Sequence, residues 1–325
     1  MLNRTPLTLL LLAGCLALPV SLHAQPTPDT LPPKREFRAL WVASVNNLDF
    51  PSRPGLDAAA FQAEWEAVLK EMAEAHFNAV IVQLRPAGDA LYPSKLAPWS
   101  AFLVSGQGQA PEFDFDPLDW MIRRTHDYGL EFHAWLNPLR GGLRPDTSGL
   151  APWHPARLHP EWVVPYNNRL YFNPGLEPVR RMVIEVVEEL VTHYDVDAVH
   201  FDDYFYPYKV SGQHFNDSLT YFQQHQPGQS VSDWRRQNID RLIEGVSRKL
   251  RAVAPEVRFG VSPFGVWRNE VQDPLGSPTT SPTTAYDDLY ANTLRWLENG
   301  WVDYVIPQLY WSTEDPANPF GRLLT

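Results

Sequence analysis

Val196-Asp197-Ala198-Val199-His200-Phe201-Asp202-Asp203-Tyr204-Phe205-Tyr206-Pro207 is the stretch from which the fold is read. The apolar run from Ala198 to Phe201 is short and closes on two aspartates, then on aromatics and a proline. That is the pattern of a buried parallel strand. A helix-patterned segment from Pro178 to Tyr194 precedes it, which makes the step helix to strand in an α/β fold. Ligands of such folds bind beyond the carboxyl ends of the strands, where Asp202 and Asp203 fall. Adjacent carboxyls in a partly dry site repel, so one stays ionised while the other is pushed toward its protonated form. An arbitrary Asp-Asp pair is more often one cap and one solvated neighbour; the strand end and aromatic surround favour a site here.

The same strand-and-helix step recurs on both sides. Arg38–Ala43 reads as a first strand, and Asp57–Ala75 as a helix with Phe61, Trp65, Val68, Leu69 and Met72 at helical spacing. Asn78–Leu84 is a second strand, and Asp116 with Pro117 opens a helix that runs to Gly129. Glu131–Leu136 is a third strand. A Pro- and Trp-rich excursion, Gly141–Tyr171, follows and is expected to form a lid or binding wall. Beyond the aspartates, helix Asp233–Val253, strand Arg258–Val261, helix Leu289–Glu298 and strand Asp303–Ile306 complete the series.

Six such alternations predict a (β/α)₈ TIM barrel rather than an open sheet. With Thr325 soon after the sixth strand, the expectation is a barrel domain over 36–325, truncated after about six βα units and open at one edge. No GxGxxG or Walker pattern follows any strand, so a nucleotide cofactor is not expected.

Polar and aromatic side chains recur where the predicted strands end. They are Asn46; Arg85 and Asp89; Trp135 and Asn137; His200, Asp202 and Asp203; Ser262 and Trp267; and Gln308, Tyr310 and Trp311. Convergence at six strand ends marks that face as the site. Arg140, Asn173, Tyr204 and Tyr206 complete the substrate-binding candidates. Each has a plainer reading. Arg85 and Asp89 serve equally well to pin a loop, the aromatics to fill a core, and Asn137 and Asn173, each before a proline, to form turns. His200 is more often a core histidine beneath a site than a metal ligand. No metal is expected, because neither HxH nor HExxH occurs.

The net charge of −11 argues against nucleic acid or an anionic membrane surface as partner, since either needs a basic face. Twelve Trp, 13 Tyr and 16 Phe suit neutral sugars, which stack on aromatic rings, although they also suit a large core. Residues 1–24 read as a targeting segment: Arg4 precedes an apolar stretch, Leu7 to Val20, too short to span a bilayer. Two exits compete. Leu12-Ala13-Gly14-Cys15 resembles a lipobox that would lipidate Cys15, and Leu22-His23-Ala24 suits ordinary cleavage before Gln25. Both predict an exported protein, periplasmic or anchored as an outer-membrane lipoprotein, whose only membrane contact is that anchor. A Pro-rich linker, 25–35, leads into a domain without cysteine and so without a disulfide.

Seven segments together resemble the glycosyl-hydrolase-like barrel family that includes the bacterial divisome-localised glycosyl hydrolase. They are FRALWVASVNNLDFPS (37–52), VQLRPAGDALYPS (82–94), LEFHAWLNPLR (130–140), YFNPGLEPVR (171–180), VDAVHFDDYFYP (196–207), FGVSPFGVWRN (259–269) and GWVDYVIPQLYW (300–311). The resemblance covers nearly the whole region after the linker. It implies a glycosidase of the cell envelope that cleaves peptide-free peptidoglycan glycan strands and works at cell division.

A glycosidase with two carboxyls across the bond needs them roughly 5–5.5 Å apart for retention or about 6.5–9.5 Å for inversion. Neighbouring aspartates approach from one side, which fits substrate assistance better: a 2-acetamido oxygen attacks the anomeric carbon. One Asp then steadies the amide nitrogen and the other protonates the leaving oxygen. Barrel enzymes acting on O-linked N-acetylglucosamine look similar. Asp203 is expected as acid/base and Asp202 as amide stabiliser, with the reverse order and a nucleophile mechanism using Glu270 or Glu314 as alternatives. A non-catalytic glycan-binding barrel and a polysaccharide deacetylase are the competing functions.

Overall fold

Residues 36–324 are described by a computed structural model; the targeting segment (1–24), Cys15 and the linker (25–35) lie outside the described residues. Strand β1 (Ala39–Val42) leads to helix α1 (Ala58–Glu74), β2 (Ala79–Arg85), α2 (Pro117–Asp127) and β3 (Glu131–Leu136). An excursion holds β4 (Arg140–Gly142), the short α3 (Pro155–Leu158), β5 (Val163–Tyr166) and β6 (Arg169–Phe172). The chain returns through α4 (Glu177–His193), β7 (Ala198–Phe201), α5 (Ser218–Gln224) and α6 (Val231–Val253). Then come β8 (Arg258–Val261), α7 (Thr293–Glu298), β9 (Tyr304–Val305) and α8 (Phe320–Leu323).

Six strands pair in parallel in the order β1-β2-β3-β7-β8-β9. Each new strand lies beside the last, as in a (β/α) barrel. In a flat sheet, the first and sixth strands would stand about 24 Å apart at 4.8 Å per gap. Instead, the ring of Phe37, just before β1, lies 6.0 Å from that of Tyr304 on β9. Trp41 on β1 meets His200 on β7 edge-on at 4.8 Å. The sheet therefore curls, and because its order begins at β1 and ends at β9 the barrel stays open between them.

Period-two alternation sorts the strand side chains. Val80, Val82, Leu84, Phe132, Ala134, Leu136, Val199, Phe201, Phe259 and Val261 join one core with the helices. Each of the Val, Leu and Phe side chains among them, once buried, contributes roughly 1.5–3 kcal/mol. The intervening Gln83, His133, Trp135, His200 and Ser262 fall on the other face, the barrel interior. The helices start where their caps dictate: Asp57 accepts from Ala60 N, Asp116 from Leu118 N and Asp119 N, and Ser230 from Asp233 N. Helix α1 buries Phe61, Trp65, Leu69 and Met72, the stripe its spacing predicts.

The excursion is more regular than its sequence suggests. It contains a three-stranded antiparallel sheet, β4-β6-β5. Asn167 and Asn168, both at positive φ (48° and 57°), form the tight turn between β5 and β6. Pro165 is tolerated because β5 is an edge strand. Helix α7 begins at Thr293 rather than Leu289, since Tyr290 takes a φ of 57° and breaks the helical run. Among the described residues no helix is long and apolar enough to cross a membrane.

Candidate active site

Strand β7 ends at Phe201 and delivers Asp202 and Asp203 to one pocket of about 360 Å³ at the carboxyl end of the sheet. Trp41, Trp135, Tyr204, Ser262, Gln308 and Tyr310 line it with them. Both carboxyls are buried, 4% and 3% exposed.

A directional amide relay holds Asp202. Gln83 Oε1 accepts the backbone N–H groups of Ser44 (3.0 Å) and Val45 (2.9 Å), which turns Gln83 Nε2 toward Asn137 Oδ1 at 2.6 Å. Asn137 is then left with its Nδ2 to donate to Asp202 Oδ2. Tyr204 N donates to Asp202 Oδ1 at 3.2 Å. Asp203 is held differently: the Tyr208 hydroxyl donates to its Oδ2, and Gln308 also bonds it. Gln308 Nε2 is itself tied to Ser262 O at 3.0 Å.

Burial pushes Asp202 up to about 7; Arg140 opposes this and the neighbouring Asp203 adds to it. Asp203 is raised for the same first reason, against its bonds from Tyr208 and Gln308. Burial raises both neighbouring carboxyls, and they titrate as a unit rather than as two independent groups. Donors reach both carboxyls, from Asn137 and Tyr204 N to Asp202 and from Tyr208 and Gln308 to Asp203, so either can serve as the ionised member. The pocket can therefore offer one acid and one fixed acceptor to the same substrate.

The structure brings together Trp135, Tyr204, Gln308 and Tyr310 on the pocket wall, with Asn137 behind Asp202. Arg140 sits beside them, its guanidinium 4.8 Å over the Tyr204 ring and bonded to Pro86 O. Other candidates lie elsewhere. His200 is fully buried beneath the pocket between Tyr304 and Ser262. Arg85 is buried with Tyr92, Asp89 and Glu189 as its electrostatic neighbours, and Asp89 lines a separate groove with Gln107. Asn46 is exposed in a one-turn 3₁₀ segment at φ 58°. Asn173 bonds Gly175 N and Thr220 Oγ1, the turn-forming role.

Tyr206 packs edge-on against Phe215 and Tyr290 in a buried cluster under the Arg235 guanidinium. Trp267 faces Tyr286 and Trp311 faces Phe264, both outside the pocket lining. Glu270 and Glu314, the carboxyls a nucleophile mechanism would enlist, are exposed and do not line it either. Among the described residues no group of three or more His, Cys, Asp or Glu side chains is placed to hold a metal ion.

Three residues of the site escaped the sequence reading. Trp41 sits inside a strand rather than at its end. Gln83 is a lone polar residue in an apolar run, a signal that was there to be used. Tyr208 follows Pro207 in a loop whose direction no local pattern gives.

Residues 36–323 match the family model described as glycosyl hydrolase-like 10. Glycosyl hydrolase YngK of Bacillus subtilis (strain 168) is 48% identical over 86% of this chain and 54% of its own length. Glycosyl hydrolase DigH of Escherichia coli O6:H1 is 38% identical over 96% of this chain and 74% of its own. The chain thus spans about half the length of the first relative and three quarters of the second. An α-L-fucosidase of Paenibacillus thiaminolyticus overlaps 70% of this chain and 32% of its own at 15% identity and a TM-score of 0.46, too slight to add to the fold read from the sheet. On the extent of the family match and the identity to both relatives, the chain belongs to the glycosyl hydrolase-like 10 family.

Proposed function

We propose that the protein is an exported glycoside hydrolase that cleaves an amino-sugar polysaccharide of the cell envelope, peptide-free peptidoglycan strands, with help from the substrate's own 2-acetamido group. One observation carries the reading: Asp202 and Asp203, both buried, share one aromatic-walled pocket that no other carboxyl among the described residues lines. The relatives named as glycosyl hydrolases support the reaction class.

In the first step the acetamido carbonyl oxygen attacks the anomeric carbon as the bond to the leaving oxygen breaks. Asp203 gives its proton to that oxygen. Asp202, fixed by Asn137, accepts the amide N–H and steadies the positive charge gathering on the ring so formed. In the second step water attacks the anomeric carbon, Asp203 takes its proton, and the acetamido oxygen leaves with configuration retained. Stacking on Trp41, Trp135 and Tyr310 suits sugar faces, and Arg140 keeps the paired carboxyls from both staying neutral.

The test is incubation with peptide-free glycan strands, read by mass spectrometry. Shorter strands are expected, lost in Asp202→Asn and in Asp203→Asn, with inhibition by a thiazoline mimic of the cyclised acetamido group. Equal turnover of a strand without 2-acetamido groups would exclude substrate assistance. Retention of strands without fragments would identify a binder, and acetate release a deacetylase.

A further inference from the structure

A second hydrogen-bonded chain runs through the barrel interior from its amino-terminal end to the pocket floor. Glu131 Oε2, paired with Arg258, meets His133 Nε2 at 3.0 Å. His133 Nδ1 meets the Tyr304 hydroxyl at 2.9 Å, which meets His200 Nδ1 at 3.0 Å. His200 Nε2 meets Ser262 Oγ at 2.8 Å, and Ser262 lines the pocket with Asp202 and Asp203. The two histidines are 0% exposed.

Strand β8 makes this possible by having glycine at 260. Register pairs Gly260 with His200 on one side and Tyr304 on the other. A Cβ there would fall 2.0 Å from the Tyr304 ring, so the absence of a side chain lets the ring cross β8 and reach both histidines.

The ends of the chain dictate its polarity. A carboxylate only accepts, so His133 carries its proton on Nε2 and its Nδ1 is an acceptor. Tyr304 therefore donates to His133, and its oxygen accepts from His200 Nδ1–H. That leaves His200 Nε2 as an acceptor, to which Ser262 must donate. Burial favours the neutral rings this requires, lowering His133 and taking His200 down to about 3.

We propose that this chain spends the only hydroxyl proton of Ser262 on His200 and so presents Ser262 Oγ to the pocket solely as an acceptor, a specificity-determining contact for a hydroxyl or amide N–H of the bound amino sugar. The identity of that ligand rests on the glycosidase reading above; the polarity of the chain does not. Tyr304 and the two histidines act through Ser262 and are positioning residues.

The test has two arms. The first uses ¹⁵N-histidine labelling and long-range ¹H–¹⁵N correlation of the unliganded protein near pH 7, with signals assigned by single substitutions. Neutral His133 protonated on Nε2 and neutral His200 protonated on Nδ1 are expected. Tyr304→Phe, whose fold is checked by near-ultraviolet circular dichroism, should move His200 toward its Nε2–H form. His200 already protonated on Nε2, or a doubly protonated His133, would reverse the chain and overturn the proposal. The second arm measures binding of a β-1,4-linked N-acetylglucosamine tetramer in an Asp203→Asn background. Ser262→Ala should weaken it roughly 3- to 10-fold and Ser262→Thr should restore it. Unchanged affinity in Ser262→Ala overturns the recognition role. Absence of tetramer binding before Ser262 is changed, alongside the expected tautomers, removes the amino sugar as ligand and faults the glycosidase reading while the polarity stands.

Discussion

Asn137 donates its side-chain amide to Asp202, and it can do nothing else. Its oxygen is taken by Gln83 Nε2 at 2.6 Å, and Gln83 is oriented in turn by two backbone N–H groups from the turn after β1. Three strands thereby fix one carboxylate without any charge partner in direct contact. Asn137→Ala removes a hydrogen bond to a charged group, an effect of roughly 1.5–3 kcal/mol. We expect kcat/KM on peptide-free glycan strands to fall about 10- to 100-fold. Loss of a donor to the ionised form also raises Asp202 further, so the acid limb of the pH–rate profile should move to higher pH. An unmoved limb would mean that Asp202 is not the group whose ionisation the reaction needs.

The same carboxyl affects stability with a definite sign. Burial raises Asp202 from about 3.9 in the unfolded chain to about 7 in the folded one. The folded state therefore keeps a proton that the unfolded state has released. Its contribution is fully present below about pH 4 and is lost as pH rises through about 7. Asp202→Asn removes the buried charge and should stabilise the protein at pH 8 by on the order of 2–4 kcal/mol, roughly 4 to 8 °C in melting temperature. At pH 4 the two proteins should melt together. Thermal melts across this range decide it, and equal melting at pH 8 would show that the carboxyl carries no burial penalty.

Much of this was legible in the sequence, for a physical reason. Strands β2, β3, β7 and β8 are buried on both faces along most of their length, so they stand out as short apolar runs; Ala198–Phe201 and Arg258–Val261 have the same ends in sequence and structure. Strand ends were legible too, and Asp202, Asp203, Trp135 and Gln308 meet in one pocket as their positions imply. What local pattern does not encode is the direction a loop takes after its strand. Trp267 and Trp311 leave strand ends as Trp135 does, yet they turn to Tyr286 and Phe264. The excursion was hidden because two four-residue strands, one of them interrupted by Pro165, carry too little alternation to be seen.

Tyr206 illustrates the difference in measurable terms. Two residues beyond Tyr204, it is 1% exposed and forms a cluster with Phe215, Tyr290 and Arg235, the last paired to buried Asp217 at 2.6 Å. Tyr206→Ala should cost about 3–5 kcal/mol of stability, the range for truncating a buried aromatic, and leave KM of the folded fraction unchanged. Trp135→Ala, on the pocket wall, should raise KM instead. Denaturant titrations beside steady-state kinetics separate the two, and a KM effect in Tyr206→Ala would return that residue to the binding surface.

Gly260 and Tyr304 give the last prediction, because neither residue fits its place without the other. The Tyr304 ring occupies the space where a side chain at 260 would stand, with its Cζ 2.0 Å from where a Cβ would lie. Gly260→Ala must therefore displace a half-buried ring bonded to two histidines, and overpacking of this kind costs about 1–3 kcal/mol. Tyr304→Ala alone leaves a cavity and two histidine nitrogens without their partner. Once the ring is gone the alanine at 260 has room, so the double variant should be less destabilised than the sum of the singles by roughly 1–2 kcal/mol. Chemical denaturation of the four proteins measures that coupling directly. Simple additivity would show that β8 accommodates a side chain at 260 without moving Tyr304, and would put the reason for the glycine elsewhere.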